Sequence, residues 1–250
     1  MKKILAVLAF VFACLWGTAF AADFSHLVIL HTNDTHGYDQ RADGVNGMAT
    51  VAALKEDYEA KGYKVLLVDA GDAIQDNNLV NFSKGKTAID FMNAVGYDAM
   101  TLGNHEFDYG YAQLKENMTK ADFKILCANV YGEDGTPIFD ANYTYTTKSG
   151  VKIGFFGMET PEAQTKANPA LIKGLKFDTD LKAVAEKQLE ALKDELRIGV
   201  MEADIDSDVD AAAIAGAGGR SIQLHTGGMC HLDAGMTEQG LREIGTDDLD

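Results

Sequence analysis

The sequence predicts a layered α/β protein in which a parallel sheet is followed by an antiparallel β layer. From residue 27 to residue 127, short apolar runs alternate with segments of helical periodicity, the order expected for strands joined by crossover helices. After residue 140 the pattern changes to two adjacent β runs joined by a turn, which predicts antiparallel pairing. An apolar content of 46% is sufficient for a buried core in a chain of 250 residues.

The first half of the chain contains the predicted parallel strands and the helices between them. Each strand is a short, mostly apolar run, as expected for strands that are covered on both faces, at residues 27–30, 64–69, 99–102 and 123–127. Three helices are predicted from apolar periodicity at residues 48–60, 87–95 and 111–118. In the first helix, Val51, Leu54 and Tyr58 fall on one face, which we expect to pack against the core.

The second half begins with a predicted hairpin and ends in a short α/β tail. Residues 143–147 and 151–158 are predicted strands around a turn at 148–150, and residues 159–168 are predicted to be loop. A long amphipathic helix is predicted at 180–196. In the tail, strands are predicted at 198–201 and 222–224, on either side of alternating aspartates and a run of small residues.

The N-terminal segment has the features of an export signal. Lys2 and Lys3 precede an apolar run at 4–16, and Ala19-Phe20-Ala21 fits the small-x-small cleavage pattern. We therefore expect residues 1–21 to be a signal peptide and the protein to be periplasmic. The alternative is an N-terminal membrane anchor, for which the apolar run is short.

Charge and cysteine content restrict the classes of partner. The formal net charge of -16 argues against nucleic-acid polymers, since binding to their phosphates requires clustered Lys and Arg. Cys14 belongs to the predicted signal, so Cys127 and Cys230 would remain in the exported protein. These two could pair in an oxidising compartment, although they lie far apart in segments of different character.

Three polar motifs follow three of the predicted strands, at 34–36, 71–75 and 103–108. Ligands of open α/β sheets collect at the carboxyl ends of the strands, where all three motifs lie. Asp34 and His36 are two residues apart, so on an extended loop both side chains would point to the same side. A carboxylate with an imidazole suits zinc, manganese, iron or magnesium. The sequence therefore predicts a divalent metal site.

The second and third motifs add further candidate ligands and a candidate catalytic pair. Asp72 follows a glycine, and its two oxygens could bridge two metal ions, while Asn104 offers a neutral amide oxygen. His105 is then left free for acid–base chemistry or for contact with phosphate. Asp108, three residues later, could hold His105 by a hydrogen bond and keep it cationic.

Each motif also has an ordinary structural interpretation. An Asp-x-His triplet rarely binds metal when it occurs alone, and a Gly-Asp pair after a strand is usually only a turn. An Asn-His pair after a strand is seldom required for folding. The occurrence of all three motifs, each at a strand end, favours the metal site.

Together these motifs resemble the calcineurin-like metallophosphoesterases, and in detail their 5'-nucleotidase/UDP-sugar hydrolase branch. The resemblance extends from about residue 23 to residue 196 and implies a metallophosphoesterase domain at 22–196 with that family's layered fold. It also implies two divalent ions (Zn, Mn, Mg or Co) and hydrolysis of a nucleotide or another small phosphate ester. The metal ligands implied are Asp34, His36, Asp72 and Asn104, and the implied catalytic pair is His105 with Asp108.

The chain also departs from that family's pattern. The family completes its site with later Gly-His and Gly-His-Ser-His segments, which do not occur in this sequence, and with a second domain that binds the substrate. We therefore expect the phosphoesterase domain to be partial and its activity to be impaired.

The tail at 197–250 resembles a fragment of the nickel-inserting GTPase of hydrogenase maturation. In that family the Cys-His of a Gly-Gly-x-Cys-His-Leu-Asp segment binds metal, which implies a nickel site at Cys230 and His231. The sequence contains no Gly-x-x-x-x-Gly-Lys-Ser/Thr loop for GTP. The alternative function is thus a nickel-binding fragment fused to an inactive phosphoesterase half, with the junction near 195–197. A weak surface metal site is the simpler interpretation of the tail.

Overall fold

The centre of the molecule is a four-stranded parallel sheet with the strand order β1-β2-β3-β4. The computed structural model describes residues 26–40, 42, 47–194, 196, 199–204, 220–225 and 234–245. The strands of this sheet are β1 (Leu27–Thr32), β2 (Lys64–Asp69), β3 (Ala99–Thr101) and β4 (Lys124–Leu126). The predicted α/β class is confirmed, and the four strands lie at the positions predicted from their apolar runs.

Burial differs between β1 and its neighbour β2 in the sheet. Val65, Leu66 and Leu67 of β2 are completely buried, whereas Ile29 on the outer strand β1 is 49% exposed. Burial of one such aliphatic side chain stabilises the fold by roughly 1.5–3 kcal/mol, so β2 contributes strongly to the stability of the sheet.

Four helices accompany the sheet: α1 (Met48–Ala60), α2 (Asn78–Phe82), α3 (Lys86–Val95) and α4 (Tyr111–Met118). Ile89 and Met92 of α3 are buried, as the periodicity predicts. The prediction for α1 is wrong in one respect, since Leu54 is 45% exposed although Val51 contacts the core. The position of α1 is instead fixed partly by polar contact, because Lys55 Nζ donates to the carbonyl of Gly96 after α3.

The antiparallel part consists of a hairpin covered by a helix. Strands β6 (Asn142–Thr146) and β7 (Lys152–Phe156) pair antiparallel, and a smaller pair forms from β5 (Val130–Tyr131) and β8 (Lys176–Phe177). Helix α6 (Leu181–Leu192) begins at Asp180, whose side chain accepts the N–H of Ala183. Gly154 of β7 leaves room for this helix and for the residue Leu196 after it, because a Cβ atom there would lie 3.3 Å from the Leu192 side chain and 2.6 Å from that of Leu196. The predicted loop at 159–168 contains one helical turn, α5 (Ala163–Lys166).

The described residues of the tail form two strands and a helix. Strands β9 (Gly199–Asp204) and β10 (Arg220–His225) pair parallel, and α7 (Ala234–Ile244) follows them. The Arg220 guanidinium donates to the carbonyls of Ile244 at 3.0 Å and Gly245 at 2.6 Å, which ties the end of the helix to the start of β10. The predicted nickel ligands Cys230 and His231 lie outside the described residues.

Two further expectations concern cysteines and membranes. Cys127 is a free thiol in the core, and burial raises its pKa to about 12. Cys230, the other partner of the disulfide considered from the sequence, lies outside the described residues, as do the predicted signal peptide and its alternative, a membrane anchor. Within the described ranges, no helix is both long and apolar enough to span a membrane.

Candidate metal and catalytic site

The three motif loops meet at the carboxyl ends of β1, β2 and β3. The first two loops are joined by backbone hydrogen bonds, from Asp34 N to Gly71 O at 3.0 Å and from His36 N to Asp72 O at 2.9 Å. These bonds fix the positions of Asp34 and His36 relative to Asp72. The strand order β1-β2-β3 places the third loop on the other side of the second one.

The expectation that Asp34 and His36 lie on an extended loop is wrong. Both residues have left-handed backbone conformations, with φ of 51° and 48°, and Asp72 has φ of 58°. Asp and His tolerate this region better than most residues, yet it still costs on the order of 1–2 kcal/mol for each residue. The bonds to the Asp72 loop stabilise these turns, and the turns rather than the β pleat direct the side chains. Strained backbone of this kind concentrates at functional sites.

Two glycines allow the second and third loops to approach each other closely. A Cβ atom on Gly71 would lie 2.4 Å from the backbone nitrogen of Gly103, and one on Gly103 would lie 2.3 Å from Asp72 Oδ1. Gly71 also has φ of 102°, a conformation that side chains disfavour. Any other residue at either position would push the Asp72 and His105 loops apart.

His36, Asp72 and His105 form the densest group of candidate metal ligands among the described residues. One ligand atom from each lies within 4.8 Å of the others, and the two imidazole rings meet edge to face at 5.1 Å between centroids. Asp34 Oδ1 lies 3.9 Å from His36 Nε2 at the margin of this group. Carboxylate oxygen and imidazole nitrogen at this spacing fit a divalent transition metal or zinc.

His105 and Asp108 are paired as the sequence predicted. His105 Nδ1 lies 2.8 Å from Asp108 Oδ2, at the length of a charge-assisted hydrogen bond. The two side chains are 35% and 32% exposed, so they border the solvent above the metal-ligand group. With Nδ1 donating to Asp108, the Nε2 atom of His105 remains for contact with a bound molecule.

Asn104 and Gln75 take different places around this group. Asn104 begins the short 3₁₀ helix Asn104–Phe107 and is 8% exposed. Its amide forms no hydrogen bond within the described part of the chain, so it is available to a ligand. Gln75, at the end of the second motif, has its amide nitrogen 3.2 Å from His36 Nδ1 and orients that ring.

Two buried carboxylates beneath the site were missed by the sequence analysis. The Glu106 side chain is completely buried and accepts backbone N–H groups from both the Asp72 and Gly103 loops. Burial raises the pKa of Glu106, while these N–H groups lower it and favour the ionised carboxylate. The sequence indicated Glu106 only through its place in the third motif, in which Asn104, His105 and Asp108 had already been given roles. Asp69 ends β2 nearby and accepts from Thr32 at 2.6 Å and from Gly71 N at 2.8 Å.

Glu159 is another buried carboxylate near the site. Its side chain is completely buried, and neither oxygen finds a hydrogen-bond partner among the described residues. Burial, with smaller contributions from the negative charges of Glu106 and Asp72, raises the pKa of Glu159 to about 9. No sequence pattern indicated that this residue, placed in a predicted loop, would be enclosed.

Comparison with known proteins agrees with this architecture. Residues 27–194 match the family model described as calcineurin-like phosphoesterase. The chain belongs to the calcineurin-like phosphoesterase family. The match ends before the tail, so the resemblance of residues 197–250 to a nickel-inserting GTPase stays a prediction.

Related proteins of this phosphoesterase family include several 5'-nucleotidases. The chain is 37% identical over 164 residues to a snake venom 5'-nucleotidase from Crotalus adamanteus, covering 60% of this chain and 28% of that protein. It is 36% identical over 173 residues to a 5'-nucleotidase from Vibrio cholerae, covering 67% of this chain and 31% of that protein. The chain therefore spans about a third of the length of these relatives.

The same fold occurs in a solved structure of this group. The 5'-nucleotidase precursor from Thermus thermophilus superposes with a TM-score of 0.61 at 29% identity, over 68% of this chain and 35% of that one. Residues 27–194 thus have the fold of a family that uses divalent metals.

Proposed function

We propose that this protein hydrolyses phosphate monoesters, with nucleotides as its substrate class, in a reaction that depends on divalent metal ions. The observation that carries the proposal is the convergence of His36, Asp72 and His105 within 4.8 Å at the ends of three strands of a phosphoesterase fold. The names of the relatives, which include 5'-nucleotidases from a snake and a bacterium, support the nucleotide class.

The proposed metal ligands are Asp34, His36, Asp72 and Asn104, which would hold two ions of Zn, Mn, Mg or Co. Bound metal supplies a Lewis acid for the phosphoryl oxygens and lowers the pKa of water, so that a nucleophile exists at neutral pH. The protein contributes the fixed turn geometry of Asp34, His36 and Asp72, whose loops are joined by backbone hydrogen bonds. Because that geometry is formed in advance, the backbone needs little reorganisation when these side chains bind metal.

His105 and Asp108 are proposed as the catalytic pair. Asp108 accepts the Nδ1 proton of His105, which fixes the orientation of the ring. The opposite nitrogen, Nε2, then donates to the transferring phosphoryl group or to the leaving oxygen as negative charge develops there. The partial exposure of both residues leaves room for a small phosphate ester to approach.

Location and domain boundaries are part of the same proposal. The signal-like residues 1–21 support export to the periplasm, residues 22–196 would form the phosphoesterase domain, and residues 197–250 a separate tail. The strongly acidic chain favours a small phosphate ester over a nucleic-acid polymer as substrate. Nickel binding by Cys230 and His231 is a separate hypothesis, which rests on sequence alone and is tested by nickel calorimetry of the wild type against Cys230→Ser.

The test of function is an assay of the purified full chain with nitrophenyl phosphate and with a nucleoside monophosphate, with and without Mn²⁺ or Zn²⁺. We expect weak metal-dependent phosphate release, since the family's later Gly-His and Gly-His-Ser-His segments do not occur in this sequence, and we expect that release to be lost in His105→Ala. His31→Ala, at an exposed histidine on β1, is the matched control and should retain the activity. Absence of metal-dependent release, or full activity of His105→Ala, would refute the proposal.

A further inference from the structure

The Glu106 carboxylate lies at the junction of the two central motif loops. One of its oxygens accepts the N–H groups of Ala73 at 2.8 Å and Ile74 at 3.4 Å, and the other accepts those of Asp72 at 2.8 Å and Gly103 at 2.6 Å. The donors come from the loop after β2 and from the loop after β3. A single side chain therefore holds the backbone of both loops.

Asp72 makes the reciprocal contact. Its Oδ1 atom accepts the backbone N–H of His105 at 2.8 Å, while its own N–H donates to Glu106. Each loop thus supplies a carboxylate to the backbone of the other loop. The position of His105 relative to Asp72 depends on both contacts.

The close approach of the loops explains why a hydrogen-bond acceptor with room for several donors is needed at this point. The glycines Gly71 and Gly103 bring the two backbones together, and several N–H groups then point into the same buried space. Buried N–H groups without an acceptor cost roughly 1–3 kcal/mol each. A carboxylate has acceptor capacity for four such donors and no donor of its own.

We propose that Glu106 is a positioning residue, which sets the spacing of Asp72 and His105 and thereby the affinity of this site for divalent metal. Glu106 itself contacts neither metal nor substrate in this proposal. The effect on turnover rests on the proposed hydrolase function, whereas the effect on metal affinity does not.

Two substitutions separate the length of the side chain from its charge. Glu106→Gln keeps the length but places an NH₂ group against backbone N–H groups, so one pair of donors loses its acceptor. Glu106→Asp keeps the charge, but the side chain is one methylene shorter and cannot reach both loops. Glu56→Gln, at an exposed position in α1, is the control for the first substitution.

The experiment is calorimetric titration of the full chain with Mn²⁺, followed by kinetics with nitrophenyl phosphate at saturating Mn²⁺. Residues that orient metal ligands typically contribute 10–100-fold to metal affinity. We therefore expect both Glu106 variants to bind Mn²⁺ at least about tenfold more weakly. We also expect a lower kcat with a KM for the ester within about twofold of the wild type, since only the positions of Asp72 and His105 change. Glu56→Gln should match the wild type in every measurement.

Unchanged Mn²⁺ affinity in either folded variant would overturn the proposal. If both variants fail to fold, amide exchange measured by NMR on the metal-free wild type tests whether Glu106 holds both loops together. If one carboxylate holds the amides of Asp72, Ala73 and Gly103, these amides should open together, with equal opening free energies. Exchange rates that differ by more than about tenfold, after correction for intrinsic exchange, would refute the proposal. A wild type that binds Mn²⁺ but hydrolyses nothing would refute the proposed function, while the affinity and exchange measurements would still test Glu106.

Discussion

The Asp72 carboxylate accepts the backbone N–H of His105 at 2.8 Å, so a proposed metal ligand and a proposed catalytic residue are mechanically linked. Displacement of one loop moves both groups. The same two loops are also joined by the close contact between Gly71 and Gly103 and by the buried Glu106 carboxylate. Changes at the loop backbone should therefore affect metal binding and turnover together.

Removal of the catalytic pair should affect turnover much more than metal binding. We expect His105→Ala to lower kcat by roughly 10²–10⁴-fold, the usual contribution of a general acid or base. Asp108→Asn should cause a smaller loss, because the imidazole remains but its Nδ1–H loses a charged acceptor. Steady-state kinetics at saturating Mn²⁺ measure both effects. Equal activity of Asp108→Asn and wild type would mean that the observed His105–Asp108 contact has no catalytic role.

Asp72→Asn should abolish tight metal binding without unfolding the protein. The amide oxygen of Asn can still accept the N–H of His105, so the loop contact survives, but the negative charge on the ligand is lost. Calorimetry with Mn²⁺ should show the affinity falling by at least about 100-fold, as expected when a first ligand rather than an orienting residue is changed. Asp57→Asn on the exposed face of α1 is the control. An unchanged isotherm for Asp72→Asn would place the metal elsewhere.

Gly71→Ala should destabilise the fold more than Gly62→Ala. Both glycines have positive φ, 102° and 90°, so both substitutions incur the cost of a left-handed alanine, about 1 kcal/mol. Only at Gly71 does the new Cβ atom also collide with backbone, at 2.4 Å from Gly103 N, whereas the Gly62 site is open. Urea unfolding should therefore show an additional loss of roughly 1–3 kcal/mol for Gly71→Ala. Equal losses for the two variants would show that the loops are less closely packed than described.

Glu159→Gln should stabilise the protein increasingly as the pH rises. The pKa of Glu159 is raised from 4.5 to about 9 in the folded state, so between these values the unfolded chain releases a proton that the folded protein keeps. The stability of the wild type therefore falls with increasing pH in this window, and the variant lacks this loss. The difference in unfolding free energy should be smallest near pH 5 and should grow by roughly 1 kcal/mol per pH unit towards pH 8. A difference that does not vary with pH would contradict the assignment, and Glu56→Gln controls for the substitution.

The strands and the ligand-bearing loops were predictable from local patterns. A buried parallel strand is a short apolar run, and its carboxyl end must face the same edge of the sheet as its neighbours, so polar residues after β1, β2 and β3 had to meet. The pair His105 and Asp108 was predictable for a similar reason, since three residues of a helical turn bring two side chains together.

The remaining features depend on contacts between distant parts of the chain. The left-handed turns at Asp34 and His36 exist because the Asp72 loop supplies their hydrogen bonds, and periodicity cannot reveal this. Glu106 is buried because donors more than 30 residues away converge on it. The two-residue strands β5 and β8 are too short for any repeating pattern, and Leu54 lies on an apolar stripe of α1 that the core does not cover.

The most direct test of the account is the location of bound zinc by anomalous diffraction from crystals of the full chain. We predict anomalous peaks within roughly 2.0–2.2 Å of a His36 ring nitrogen and an Asp72 carboxylate oxygen, the usual zinc-ligand distances. Zinc found only at other positions, with His36 and Asp72 making no contact to it, would contradict the central claim that the three motif loops form one metal site.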